Sequence, residues 1–288
     1  MRLARFSVDG VGPRLGVVLD GAVVDLRDAA PGLPGEMPDL LALGDEGLRQ
    51  ALNAANGGAT HIPLQDVKLM APIARPPKFL AVGLNYADHV AETGLETPAF
   101  PLVFAKMPSC VTGPGDPVER PIASDRLDWE GELAFVIRKR CRHVKRAAAA
   151  SVIGGYTIVN DVSVRDWQVK TSQWVLGKSF DTHGPMGPWL VTGEEIDPHA
   201  LPIRTLVNGE VRQSSNTSNL IFDCFDLVET LSTVFTLEPG DVVATGTPGG
   251  VGNAMQPPQF LKPGDTVRIE IEGIGAIENT VVQEGRIE

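Results

Sequence analysis

Glycine and proline interrupt this chain so often, 31 and 23 times in 288 residues, that long helices have little room to form. Glycine costs a helix interior about 1 kcal/mol relative to alanine and proline about 3 kcal/mol, whereas both suit the turns between short strands. The stretches between these interruptions are short, apolar and rich in Val and Ile, as at 79–83, 102–105, 132–137, 155–160, 188–192, 203–207, 241–245 and 266–271. Such runs read as strands. In the same region only 146–152 and 221–233 ask to be helices, the second through the spacing of Phe222, Phe225, Leu227 and Leu231. Many strands with few helices predict a mainly β (α+β) fold, a closed or folded-over sheet rather than a doubly wound one.

The first sixty residues or so carry alternating runs at 2–8, 14–19 and 22–26 between Gly and Asp turns, which read as a small sheet. Leu40, Leu41, Leu43, Leu48 and Leu52 keep a roughly helical period, predicting one helix over 39–55 with Asp39 as N-cap and Gly57-Gly58 as its stop. Residues 61–78 hold Pro63, Pro72, Pro76 and Pro77 and read as a linker. The boundary is therefore expected near 70, dividing a small N-terminal α+β domain over 1–70 from a larger one over 71–288.

With 25 basic and 36 acidic residues the formal net charge is −11, which repels phosphate backbones and anionic headgroups at long range. Nucleic acid and membrane surfaces are therefore not the expected partners. Cys110, Cys141 and Cys224 form no CxxC pair and have no His at zinc-finger spacing, so neither a disulfide framework nor a structural zinc is expected. No apolar stretch follows Arg2 and Arg5, and no run approaches the about 18 apolar residues of a membrane span. The expected location is the cytoplasm.

The sharpest local feature is Asp128-Trp129-Glu130-Gly131-Glu132, leading into a hydrophobic strand. Residues two apart on a strand share a face, so Glu130 and Glu132 project side by side. Two adjacent carboxylates repel unless the face is solvated, a cation lies between them or one is protonated. A second acid, Asp161, ends the hydrophobic run 155–160 where the chain enters a loop, a place that serves ligands or plain Asn-Asp turn chemistry. Together the three would offer an all-oxygen set suited to Mg²⁺ or Mn²⁺ rather than zinc.

His89 and Glu92 are neighbours if 85–92 forms a helical turn, and the carboxylate then orients the imidazole as a general base; on a surface the same pair is merely solvated. The following residues, 93–98, read as a mobile loop that could serve as a lid. Lys178 lies among Trp174, Val175 and Phe180, where a cation serves an anionic substrate or pairs with Asp181. Gly246-Thr247-Pro248-Gly249-Gly250 follows a strand and offers backbone N–H groups and a hydroxyl, or simply a tight turn. No GxSxG elbow is present.

These pieces, in this order, resemble the fumarylacetoacetate hydrolase (FAH) family from about Lys78 to Gly252. The likeness rests on Gly83-Leu84-Asn85-Tyr86 with His89 and Glu92, Phe104-Ala105-Lys106, Glu130-Gly131-Glu132-Leu133, Asn160-Asp161-Val162-Ser163 with Arg165 and Gln168, Gly177-Lys178-Ser179-Phe180-Asp181, Gly184-Pro185-Met186-Gly187-Pro188, Val207-Asn208-Gly209-Glu210 and Gly246-Thr247-Pro248. Trp129 stands where the family commonly has Tyr. The resemblance implies an FAH-like β-roll of folded mixed sheets, usually a homodimer, with a small N-terminal unit of the bacterial kind. It implies a divalent metal, Mg²⁺ or Mn²⁺ with Ca²⁺ also conceivable, held by Glu130, Glu132 and Asp161. His89 and Glu92 correspond to the family's catalytic dyad and Lys178 to its substrate-contacting lysine, while Tyr86, Arg165, Gln168 and Thr247 line the substrate pocket.

For a 2-oxo acid substrate, the resemblance leads to an expected activity of C3–C4 hydrolysis of a 2,4-dioxo acid (an acylpyruvate, fumarylpyruvate or 2,4-diketo-3-deoxy sugar acid), releasing pyruvate. His89 would activate water and Lys178 would stabilise the developing negative charge. The same site plan also carries oxaloacetate decarboxylation and 2-hydroxyhepta-2,4-diene-1,7-dioate isomerisation or hydration, because fold does not fix reaction. A reading of another class, a non-catalytic module holding Ca²⁺ for structure, gives no reason for a His/Glu pair.

Overall fold

The computed structural model describes residues 1–94, 96–193 and 195–285. Its strands form one large mixed sheet, a five-stranded sheet and a two-stranded ladder, the mainly β architecture with few helices that the Gly and Pro spacing predicts. At the centre of the large sheet the strand Gly131–Ile137 lies between Ile153–Asn160 and Val242–Ala244, antiparallel to both, and Phe79–Gly83 continues it in parallel beside Val242–Ala244. All seven residues of Gly131–Ile137 and all eight of Ile153–Asn160 are buried. Burial on both faces explains why these strands read as continuous apolar runs rather than alternating ones.

The N-terminal strands extend this sheet instead of forming a separate one. Arg2–Val8 pairs with Gly184–Val191 on one side and Val11–Leu19 on the other. The stretch expected to be a linker contains two short strands, His61–Pro63 and Lys68–Met70, pairing with Ala22–Asp25 and Arg2–Val8. Three prolines, Pro72, Pro76 and Pro77, follow them. The expected single helix is two, Met37–Ala42 and Gly44–Asn56, because Gly44 has φ +63 and turns the chain between them. Asp39 lies within the first turn of the first helix, just after Pro38, while Glu36 stands at the cap position, so Asp39 is not its cap. Leu40 and Leu41 of that helix pack with Leu3, Val17, Phe79, Val136 and Leu190 in one buried cluster, each such side chain stabilising by about 1.5–3 kcal/mol.

The second sheet runs in the order Glu210–Asn216, Pro202–Val207, Thr266–Ile271, Gly275–Gln283, Val118–Arg120. Its first two strands are joined by Asn208-Gly209, with φ +52 and +79, the two-residue hairpin that an Asn-Gly pair favours. Ile203, Val267, Ile269 and Ile277 of this sheet share a core with Leu133, Phe135 and Ile158 of the central strands. The helix Cys224–Val234 covers the same core. Asp223 caps it, accepting from the N–H groups of Phe225 and Asp226 while Asp226 accepts from Asp223 N–H. Residues 146–152 form a 3-10 helix. The three cysteines are free.

Candidate active site

Strand register builds the acidic cluster. Gly131 pairs with Asn160 and Glu132 with Val159, so one step outward Glu130 lies opposite Asp161, and the Asp161 N–H donates to the Glu130 carbonyl at 2.9 Å. The two-residue period then brings Glu132 to the face of Glu130. Ligand oxygens of Glu130, Glu132 and Asp161 lie within 4.8 Å of one another, and all three residues are buried.

Their surroundings differ. The Lys178 ammonium donates to Glu130 Oε2 at 2.7 Å and Asp161 Oδ2 at 2.8 Å, and Lys106 Nζ donates to Asp161 Oδ1 at 2.7 Å and to the Lys178 carbonyl. Arg165 holds Glu130 Oε1 at 2.6 Å and Asp128 Oδ2 at 2.7 Å. Burial alone would raise the Glu130 pKa, but Lys178 and Arg165 outweigh it and hold the carboxyl at about 2. Glu132 receives only the Gly246 N–H, at 2.8 Å, and among the described residues no Lys or Arg pairs with it. Burial, then Asp161 and Glu130, push its pKa well up. A buried carboxylate without a cationic partner, beside two others, is the environment a hard divalent cation completes, so the donor set fits such an ion.

The Glu132 support depends on backbone shape. Gly246 has φ +107, and a Cβ there would come within 2.9 Å of Asn85 Cβ and 3.0 Å of the Val82 carbonyl. Asn85 is itself fixed, donating to the carbonyls of Phe222 and Thr245 and accepting from Phe222 N–H. From Asn85 the chain enters the helix Ala87–Thr93, where His89 Nδ1 lies 3.2 Å from Glu92 Oε2. Glu92 Oε1 also accepts from Gly250 N–H at 2.9 Å, so the loop after strand Val242–Ala244 orients the carboxylate that orients the imidazole. Of the expected lid, 93–98, Leu95 lies outside the described residues.

A cavity of about 330 Å³ gathers most of these groups: His89, Glu130, Glu132, Arg165, Gln168, Lys178 and Thr247 all line it. Apolar walls come from Val82, Phe104, Trp174 and Val251. Lys178 serves the acidic cluster and not Asp181; its Nζ also lies 5.1 Å from the Phe104 ring centroid. Gln168 accepts from Arg165 Nη1 at 3.1 Å. The Thr247 hydroxyl is engaged, donating to the Gly131 carbonyl at 3.1 Å and accepting from Gln213 Nε2 at 2.8 Å. Tyr86 is fully buried and outside the cavity lining. Its hydroxyl has no hydrogen-bond partner among the described residues, and burial together with Glu132 keeps the phenol protonated.

Four residues here were not assigned a role from the sequence. Lys106 lies on the face of Leu102 and Phe104 in strand Leu102–Lys106, so alternation marks it as inward. Asp128 precedes Glu130 by two and shares its face; it accepts from Trp129, Gly252 and Asn253 N–H groups and anchors Arg165. Gln213, from the Asn-Gly hairpin, accepts from Gly131 N–H at 3.0 Å and no local pattern signals it. Arg126 lines the cavity from its exposed side.

The fold and the acidic cluster define a β-roll with a carboxylate-rich site whose donor set fits a hard cation. The family model Fumarylacetoacetate (FAA) hydrolase C-terminal matches residues 78–282, and this chain belongs to that family. The mitochondrial oxaloacetate tautomerase fahd2 of Xenopus laevis is 45% identical over 98% of this chain and 90% of its own length. Among solved structures, a fumarylacetoacetate hydrolase from Exiguobacterium antarcticum matches with TM-score 0.89 and 37% identity over 99% of this chain and all of the other. The maleylpyruvate hydrolase of Sphingobium sp. SYK-6, solved with manganese(II) and pyruvate, matches with TM-score 0.82 and 36% identity over 99% of this chain and 100% of the other. The Xenopus relative is named mitochondrial, which differs from the cytoplasmic expectation. Among the described residues no helix is long and apolar enough to cross a membrane.

Proposed function

We propose that this protein is a Mg²⁺- or Mn²⁺-dependent enzyme that moves a proton at C3 of a 2-oxo acid, interconverting keto and enol forms, with oxaloacetate as its substrate. The observation that carries this reading is that His89, Glu130, Glu132, Arg165 and Lys178 line one cavity, a poised base facing a cation site. The tautomerase relative, similar over nearly the whole chain, supports the choice of reaction.

A divalent cation held by Glu130, Glu132 and Asp161 supplies the charge that makes the 2-oxo group electron-withdrawing and its C3 hydrogens acidic. The protein's own groups do the rest. His89 takes the proton from C3, and Glu92 holds the imidazole in the tautomer that accepts it. Lys178 and the Arg165 guanidinium face the negative charge that develops on oxygen. Return of that proton from the His89 imidazolium to the oxygen, directly or through a water, yields the enol, resets the base and breaks no carbon–carbon bond. Phe104, Trp174 and Val251 keep the wall apolar, which strengthens each charge interaction inside.

A second reading, hydrolytic C3–C4 cleavage of a 2,4-dioxo acid, draws on the same His89–Glu92 pair, which can activate water as well as carbon acid. The maleylpyruvate hydrolase likeness supports it. Two assays separate the readings: the decay of enol absorbance on adding oxaloacetate, and coupled pyruvate detection over a panel of acylpyruvates and oxaloacetate. Tautomerisation should exceed pyruvate release from every substrate; faster acylpyruvate cleavage assigns the hydrolase, and faster pyruvate release from oxaloacetate the decarboxylase. Homodimer assembly belongs to this reading too. Phe100, Val103 and Met107 leave apolar surface along Leu102–Lys106, the last strand of the large sheet, and light scattering measures the assembly.

A further inference from the structure

We propose that Arg126 binds the carboxylate remote from the 2-oxo group, so that this site selects dicarboxylic over monocarboxylic 2-oxo acids. The inference rests on the reading of the cavity as a 2-oxo acid site and adds the far end of the substrate to it.

Arg126 directly precedes the short strand Leu127–Asp128, which pairs antiparallel with Ser163–Val164. The Arg165 N–H donates to the Arg126 carbonyl at 3.0 Å, which extends the ladder one step and sets the two arginines opposite each other. Side chains opposed in this way start about 5 Å apart, and both line the cavity. Their charges are in different states. Arg165 is committed inward, to Asp128 and Glu130. Lys178 is likewise committed, to Glu130 and Asp161. Arg126 alone among the cavity's Lys and Arg side chains pairs with no carboxylate among the described residues. Its backbone is held in place: Arg126 N–H donates to Ser124 Oγ at 3.0 Å, and Ser124 donates to Asp166 at 2.6 Å.

The cavity is thus graded from within outward. Its inner end has the carboxylate cluster whose donor set fits a divalent cation, which a carboxylate beside a 2-oxo oxygen can chelate. Its outer end has a guanidinium with no internal partner, and a second carboxylate at the other end of a short chain supplies one. A planar, permanently charged fork is the group that recognises a carboxylate in two contacts. Arg126 also forms the shared wall with a neighbouring cavity of about 660 Å³ lined by Arg120, Arg212 and Lys262, along with Asp125 and Asp265. On a chain of net charge −11, this local basic surface draws doubly charged anions toward the mouth.

The test compares 2-oxoglutarate with 2-oxovalerate, five-carbon 2-oxo acids that differ in the terminal carboxylate, by calorimetric binding to the Mg²⁺-loaded protein without turnover. Arg126→Gln should weaken 2-oxoglutarate about 10-fold, as expected for loss of one charge-assisted contact, while leaving 2-oxovalerate and oxalate within about twofold. Arg126→Lys should restore part of the loss. The KM for oxaloacetate should rise by a similar factor with kcat little changed, and the melting temperature should stay put because the side chain is exposed. Equal effects on both five-carbon acids, or none on either, overturn the assignment of Arg126 while oxalate still binds. Failure of oxalate to bind the wild type overturns the 2-oxo acid reading itself, and the Arg126 assignment with it.

Discussion

Binding of a divalent cation to the metal-free protein should release close to one proton on the acidic side of the raised Glu132 pKa, and Glu132→Gln should abolish that release. The number follows from the unequal surroundings of three adjacent carboxylates. Glu130 is held at about 2 by Lys178 and Arg165 against the effect of burial, so it has no proton to give near neutrality. Asp161 accepts from both Lys106 and Lys178. Glu132 is pushed upward, by burial first and then by Asp161 and Glu130, so in the absence of metal it keeps a proton where an ordinary Glu is ionised. A cation must displace it. Calorimetric titration in two buffers of different ionisation enthalpy gives the proton count directly. It should approach one on the acidic side of the raised Glu132 pKa and fall toward zero above it. Zero release by the wild type at every pH, or undiminished release by Glu132→Gln, refutes the argument.

The same shift fixes a stability trend. A carboxyl whose folded pKa lies above its unfolded value contributes stability that is complete below the unfolded value and lost as pH rises through the folded one. The metal-free wild type should therefore lose stability on alkalinisation through that window, and Glu132→Gln should not. Adding metal at 100 times its Kd returns about 2.7 kcal/mol to the wild type, a rise of roughly 4–5 °C in Tm for a chain of this size.

His89→Ala and Glu92→Gln should each lower turnover about 10²–10⁴-fold with the calorimetric metal affinity unchanged, since neither touches the acidic cluster; a parallel loss of metal binding would falsify their assignment to the base. Lys178→Met leaves Glu130 and Asp161 without one of their buried cations, a change that typically costs about 3–5 kcal/mol, so the metal-free variant should melt well below the wild type. Gly246→Ala must place a side chain at φ +107 beside Asn85, and a cost of about 1–3 kcal/mol in urea unfolding is expected.

The parts of the site that were legible in the sequence are those that local periodicity carries. Glu130 and Glu132 follow from the two-residue period, Lys106 and Asp128 sit in the same kind of pattern, and the i, i+3 spacing brings His89 to Glu92 once 87–93 is helical. What was illegible depends on register between distant segments. Nothing near Gln213 indicates that the Asn208-Gly209 hairpin carries it to Gly131 and Thr247, and nothing near Arg165 indicates Arg126 opposite it. The N-terminal helix departs from its leucine period for a related reason: that period runs through Gly44, and only the backbone at φ +63 breaks it. Prolines likewise give 61–78 the look of a linker, although two short strands precede Pro72 and pair with Ala22–Asp25 and Arg2–Val8, between 37 and 65 residues earlier.

Charge ties the cluster to its substrate. Glu130, Glu132, Asp161 and Asp128 face three fixed cations, Lys106, Lys178 and Arg165, leaving one negative charge that a proton on Glu132 cancels in the absence of metal. A divalent cation that displaces the proton turns the site net positive by one, and a single substrate carboxylate beside the 2-oxo group restores neutrality. Low-dielectric surroundings make each imbalance costly, so metal and 2-oxo acid should bind with positive cooperativity. A second carboxylate then overshoots, and it must be met by a cation the cluster does not already use. Arg126 is such a cation, which is why the preference for a dicarboxylic substrate follows from the charge arrangement as well as from position.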